Sequence, residues 1–140
     1  MSTAPHEIYA DHAATTPPAA EVIAAMQRHL GAEYGNPSSV HRRGEAAREA
    51  LDIARARLAA LIGATPEEIV FTASGSEANN LALKGAMGAA ASVAGVPRRR
   101  IIVSAIEHLS VLETAHALGD AGHEITVVPV GPDGVVEEAR

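Results

Sequence analysis

Three short apolar runs, Ile69-Val-Phe-Thr72, Ile101-Ile-Val-Ser-Ala105 and Glu124-Ile-Thr-Val-Val-Pro-Val130, alternate with Ala- and Leu-rich stretches of helical periodicity. This alternation narrows the fold more than any other feature of the chain. Strand, helix, strand, helix, strand in that order reads as a parallel sheet with helices packed on it, because parallel neighbours need a crossover long enough to hold a helix. The predicted class is α/β. The run Ile101–Ala105 is almost continuously apolar, which predicts a strand covered on both faces. Ligands in such sheets bind beyond the carboxyl ends of the strands. The residues following the first two runs, a Ser/Gly turn and His108, are therefore candidates for one shared site.

Ahead of these runs, Ile8-Tyr-Ala10 reads as a short extended start, and a helix is predicted over 19–30, with Val22, Ile23, Met26 and Leu30 at helical spacing and Gly31 as its stop. Tyr34-Gly-Asn-Pro-Ser-Ser39 is a loop, since Asn-Pro and Gly both break regular structure. A second helix is predicted over 44–62. Its expected apolar face is Ala47, Leu51, Ala54, Leu58 and Leu61 or Ile62, its polar face Arg48, Asp52 and Arg55, and Gly63 its left-handed terminator. Thr65-Pro-Glu-Glu68 is a turn. Helices over 76–91, closed by Gly95 and Pro97, and over 111–118, broken by Gly122, complete the reading.

Thr72-Ala-Ser-Gly-Ser-Glu-Ala-Asn-Asn80 joins the first apolar run to a long helix through a Ser/Gly hinge. The first turn of a helix offers unpaired N–H groups and the positive end of the macrodipole, so an anion placed there needs little more than a hydroxyl. Ser74 and Ser76 supply hydroxyls, and Gly75 permits close approach and a positive φ. The same residues also fit an ordinary serine N-cap.

Composition removes several classes of function. Formal net charge is −6 and the basic residues are scattered, which argues against a nucleic-acid surface; the run Arg98-Arg99-Arg100 reads as a solvated loop. No apolar stretch reaches the ~20 residues of a membrane span, and Met1-Ser-Thr-Ala-Pro-His-Glu7 lacks the pattern of a secretory signal. A cytoplasmic protein is expected. With no cysteine, the chain holds neither a thiolate zinc site nor a cysteine nucleophile, and the histidines His12, His29, His41, His116 and His123 show no ligand spacing. No metal site is expected. One Phe, two Tyr and no Trp leave small side chains to fill the core.

Taken in order, Asp11-His-Ala-Ala-Thr-Thr-Pro17, Tyr34-Gly-Asn-Pro-Ser-Ser-Val-His41, Phe71-Thr-Ala-Ser-Gly-Ser-Glu-Ala-Asn-Asn80 and Ser104-Ala-Ile-Glu-His108 resemble the N-terminal part of the cysteine desulfurases. These are pyridoxal-phosphate (PLP) enzymes of the class V aminotransferase group, fold type I. The resemblance implies that Gly75 and Ser76 bind the cofactor phosphate, and that His108 stacks on the pyridine ring and moves protons, tasks suited to a flat side chain that titrates near neutral pH. It implies an N-terminal segment, 1–30, that packs with a small domain outside this chain, and 31–140 as the first part of the large domain, with the first three strands of its mostly parallel sheet. The strand Ile69–Thr72 would pair with one that comes late in the family's sequence. Asn36-Pro37-Ser38 would shape a loop beside the site. Where the family often has Asn at the second position of the Asp-x-Ala-Ala-Thr-Thr segment, this chain has His12.

A PLP enzyme needs a Schiff-base lysine and an acid for the ring nitrogen, and desulfuration needs a cysteine to take the sulfur. The only lysine is Lys84, which is not the family's cofactor lysine and reads as a helix-surface residue. The expected function is thus the N-terminal part of an enzyme that converts L-cysteine to L-alanine and passes the sulfur to an enzyme cysteine as a persulfide. That enzyme would be a homodimer serving a sulfur-acceptor protein, and the fragment would be inactive alone. Selenocysteine lyase or another class V activity is the enzymatic alternative. A non-enzymatic remnant or partner-binding module is the alternative of another kind.

Overall fold

The computed structural model describes residues 8–92 and 100–136. The chain divides into two compact units between Ile69 and Val70. The first holds helix α1 (Ala20–Leu30), helix α2 (Arg42–Ile62) and a 3₁₀ turn (Pro66–Glu68). The second holds α3 (Gly75–Ser92), β1 (Arg100–Ser104), α4 (Leu109–Asp120) and β2 (Glu124–Val128).

In the first unit, the phenol of Tyr9 reaches the carbonyls of Asp11 and Thr15 at 2.8 and 3.0 Å. His12 packs edge-on against the Tyr9 ring with centroids 4.9 Å apart. The predicted apolar stripe of α1 forms, yet none of its residues is buried. In α2 the covered face shares only Ala47 and Leu51 with the predicted one. Gly44, Ala47, Ala50, Leu51, Arg55 and Ala59 are the residues shielded there, whereas Ala54, Leu58, Leu61 and Ile62 are exposed. Burial follows what the preceding loop and the 3₁₀ turn can cover, and Arg55, expected on the polar side, donates from Nε to the Ile69 carbonyl at 3.3 Å and pairs with Asp52 at 3.0 Å.

The loop before α2 accounts for Gly44. A Cβ there would collide with the Ser39 carbonyl and come within 2.8 Å of the Asn36 oxygen. His41 caps this helix, its Nδ1 accepting the Gly44 N–H at 3.3 Å. At the far end Gly63 takes φ +69, and the amides of Gly63 and Ala64 both turn back to the Ala59 carbonyl. This is the left-handed terminator predicted from sequence.

In the second unit β1 and β2 pair in parallel, with Arg100 opposite Glu124 and Ser104 opposite Val128. Helix α4 makes the crossover. Met87, Ile101, Val103 and Ala115 form the core, flanked by Leu83, Val111, Leu112, Leu118 and Ile125. Small residues set the spacing, since a Cβ on Gly119 would stand 3.0 Å from Ile125 Cγ1. The Arg100–Glu124 ion pair at 2.8 Å is largely exposed and adds at most about 1 kcal/mol.

Two expectations about the sheet are corrected. Ile69 has an extended backbone, but Ile69–Thr72 is not a strand, so the described sheet has two strands rather than three. A strand is defined by its partner, and no described segment offers one to Ile69–Thr72. The second concerns β1, where Ile101 and Val103 are buried but Ile102 is 64% exposed, so the helices of this unit cover one face only. Ile8–Ala10 likewise joins no sheet among the described residues. The closure of α3 by Gly95 and Pro97, and most of the arginine run, lie outside the described residues. No helix among the described residues is long and apolar enough to cross a membrane.

Candidate functional site

The hinge before α3 is held by its own side chains. Ser74 Oγ accepts the Glu77 N–H at 3.2 Å, and the Glu77 carboxylate turns back to accept the Ala73 N–H at 2.7 Å. This is capping-box logic displaced by one residue. Thr72 donates its hydroxyl to the Ser74 carbonyl at 3.0 Å, which also receives the Ala78 amide. The helix therefore begins abruptly at Gly75. Ser74 is thus the ordinary cap of α3, and its contacts do not use the amides of the next two residues. Among the described residues, no acceptor meets the amides of Gly75 and Ser76 or the Ser76 hydroxyl.

Gly75 does not use a positive φ. Within the described residues that conformation belongs to Gly63, Gly122 and Gly134, because Gly75 already sits in the helix, where φ is negative. What Gly75 provides is room, since a Cβ there would meet nothing within 4 Å. Two free amides and a free hydroxyl at the positive end of a helix of 18 residues, with open space above them, suit an oxyanion.

His108 is placed by the turn that follows β1. Glu107 accepts the Ser104 hydroxyl at 3.1 Å, which holds the strand end and the turn together. His108 is the N-cap of α4, with φ −59 and ψ 146. Its Nδ1 accepts the Ser110 N–H at 3.1 Å and lies 2.8 Å from the Ser110 hydroxyl. That hydroxyl in turn receives Asn79 Nδ2 at 2.9 Å. Asn79 stands three positions beyond Ser76, about 4.5 Å along the helix axis. The link therefore holds the first turns of α3 and α4 side by side, and it brings Gly75, Ser76 and His108 to neighbouring helix N-termini.

Asn79 and Ser110 are the residues that sequence reasoning missed. Their spacing from Ser76 and His108 was visible, but which serine met which amide depended on how α3 and α4 pack. Asn80 donates to the Ser76 carbonyl at 3.0 Å, a helix-internal contact. Asn36 shapes its own loop by accepting the Ser38 amide at 2.9 Å, in the first unit. Lys84 is exposed, about 12 Å along the axis from Ser76. Among the described residues no cluster of His, Asp or Glu could hold a metal ion. The grooves along α2, lined by residues such as Asp52, Arg55, Ala56 and Pro66, contain none of the predicted site residues.

The aminotransferase class V family model matches residues 8–140. The chain belongs to this family. A cysteine desulfurase IscS from Dictyoglomus turgidum is 46% identical over 131 residues, covering 94% of this chain and 32% of that protein. A selenocysteine lyase from Xenopus tropicalis is 42% identical over 135 residues, covering 90% of this chain and 31% of its own. Among solved structures, a NifS-like protein superposes with a TM-score of 0.78 at 35% identity, covering 89% of this chain and 33% of that one. This class V chain thus spans about a third of the length of the proteins it matches. Its helices and parallel strand pair reproduce part of the fold type I architecture.

Proposed function

We propose that this chain forms the first part of a PLP-dependent cysteine desulfurase, with Gly75, Ser76 and His108 as its contribution to the cofactor site. The observation that carries the reading is the start of α3, where two amides and a hydroxyl stand unpaired beside the helix start that bears His108. These donors fit a phosphate: the Gly75 and Ser76 N–H groups and the Ser76 hydroxyl would hold its oxygens, with the helix dipole favouring the negative charge. The flat imidazole of His108 would lie against the pyridine ring. When bound, the cofactor supplies the electron sink that weakens bonds at the amino-acid Cα.

The chain's own residues bind and orient, and His108 exchanges a proton at Nε2, the ring nitrogen with no partner among the described residues. In this reading L-cysteine becomes L-alanine while its sulfur passes to a cysteine outside this chain as a persulfide and on to a sulfur-acceptor protein. The Schiff-base lysine also lies outside it, because Lys84 stands too far from the cup. Residues 1–30 would pack with the small domain, the uncovered stripe of α1 being their apolar surface. The enzyme would be a cytoplasmic homodimer, and this chain alone would be inactive. The relative from Xenopus tropicalis supports selenocysteine lyase as a second reading, since its identity is only slightly lower.

A chimera tests the proposal. Residues 8–140 replace the equivalent part of the Dictyoglomus turgidum desulfurase, and sulfide and alanine are measured from L-cysteine, and selenide from L-selenocysteine. Desulfurase activity is expected, reduced by Ser76→Ala and abolished by His108→Ala. A folded, PLP-loaded chimera whose turnover ignores both substitutions would refute the assignment, and turnover of L-selenocysteine alone would favour the second reading.

A further inference from the structure

The contacts around His108 fix more than its position. The Ser110 backbone N–H can only donate, and it reaches His108 Nδ1 at 3.1 Å. Nδ1 is therefore an acceptor, and the neutral ring carries its proton on Nε2. The 2.8 Å contact between Nδ1 and the Ser110 oxygen must then be a hydroxyl donating to Nδ1. With its own proton committed, that oxygen can only accept from the side chain 2.9 Å away, which orients the Asn79 amide with Nδ2 towards it. One backbone amide sets the direction of the whole chain of bonds: Asn79 Nδ2–H to Ser110 Oγ, Ser110 O–H to His108 Nδ1.

Ser110 is held in place to do this. Thr114, only 4% exposed, donates its hydroxyl to the Ser110 carbonyl at 2.7 Å. Asn79 and Ser110 are themselves half-buried, whereas His108 is exposed. The relay thus runs from between α3 and α4 outwards to the imidazole.

We infer that Asn79 and Ser110 are positioning residues that hold His108 as the Nε2–H tautomer, so that the neutral ring offers a proton donor, not a lone pair, at its open edge. The functional meaning rests on His108 lying at the cofactor, but the tautomer does not. A histidine so held hands a proton to a bound substrate or cofactor. To act as a base at Nε2 it must first lose that proton and regain one at Nδ1, against two donors already there.

The test reads the tautomer directly, without cofactor. The whole chain, labelled with ¹⁵N-histidine, is examined by long-range ¹H–¹⁵N correlation at a pH where the imidazole is neutral. His108 is assigned by its loss in His108→Gln. In the unsubstituted chain Nδ1 should show the shift of an unprotonated nitrogen and Nε2 that of a protonated one. Ser110→Ala should lower the Nε2–H to Nδ1–H ratio by roughly two- to ten-fold, the worth of one neutral hydrogen bond, and Ser110→Thr, which keeps the hydroxyl, should restore it. Asn79→Asp, whose carboxylate draws the serine proton to itself, should lower the ratio as well. An Nδ1–H ring in the unsubstituted chain would overturn the inference, as would a ratio indifferent to Ser110→Ala in a variant with intact helical circular dichroism. If the tautomer is as stated yet the chimera does not depend on His108, the relay stands and the assignment of function fails.

Discussion

Gly75→Pro separates the folding role of the α3 start from its proposed ligand role. Gly75 is the first residue of the helix, the position where proline is best tolerated, because its fixed φ matches the helix and the N–H it lacks has no intrahelical partner. The capping contacts use Ser74 Oγ, the Glu77 amide and the Ala73 amide, none of which the substitution touches. The substituted Cβ enters open space. Stability should therefore change by no more than about 0.5 kcal/mol, the range of a substitution that breaks no packing or cap. The phosphate, in contrast, loses one amide donor to a charged oxygen, worth ~1.5–3 kcal/mol, so PLP affinity should fall roughly 10- to 150-fold. The measurement pairs a urea midpoint with equilibrium dialysis of PLP, both on the chimeric enzyme. A variant that unfolds would show that Gly75 is not a free first-turn position. A variant that folds and keeps its PLP affinity would show that this amide does not hold the phosphate.

Two helical glycines should respond to alanine with opposite sign. Gly88→Ala, where a Cβ meets nothing, should stabilise by up to about 1 kcal/mol through helix propensity. Gly44→Ala should destabilise by roughly 1–3 kcal/mol because its Cβ runs into backbone of the Asn36–Ser39 loop; a shared direction in urea midpoints would refute the packing described for α2. Gly63→Ala, at φ +69 with nothing near its Cβ, should cost about 1 kcal/mol of left-handed strain alone. Lys84→Ala should leave PLP binding and turnover of the chimera unchanged, and loss of a Schiff-base absorbance in that variant would make Lys84 the cofactor lysine after all.

How much of this was legible in the sequence depended on how local the cause was. Gly63 as a left-handed stop and the helix beginning at the Ser/Gly hinge depend on a few neighbouring residues, and both were readable. That Ile69–Thr72 stays outside the described sheet was not, because strand identity belongs to a pair, and its apolar run carries no information about who the partner is. The α2 face shifted for a similar reason. An Ala-rich helix has several faces of comparable hydrophobicity, and the Asn36–Ser39 loop, which Gly44 admits, chose among them. For the site, the motifs pointed to Gly75, Ser76 and His108 by resemblance. The link through Asn79 and Ser110 depends on the packing of α3 against α4, which no spacing within either helix reveals.

The central claim, that the start of α3 is the chain's half of a phosphate cup, is tested most directly by titrating the ¹⁵N-labelled chain with PLP and, in parallel, with pyridoxal. The account predicts that PLP moves the Gly75 and Ser76 amide resonances most, with accompanying shifts at His108, and that pyridoxal, lacking the phosphate, leaves the two amides in place. Equal responses to both compounds, or PLP-dependent shifts centred on the arginines of α2 with Gly75 and Ser76 unmoved, would contradict it.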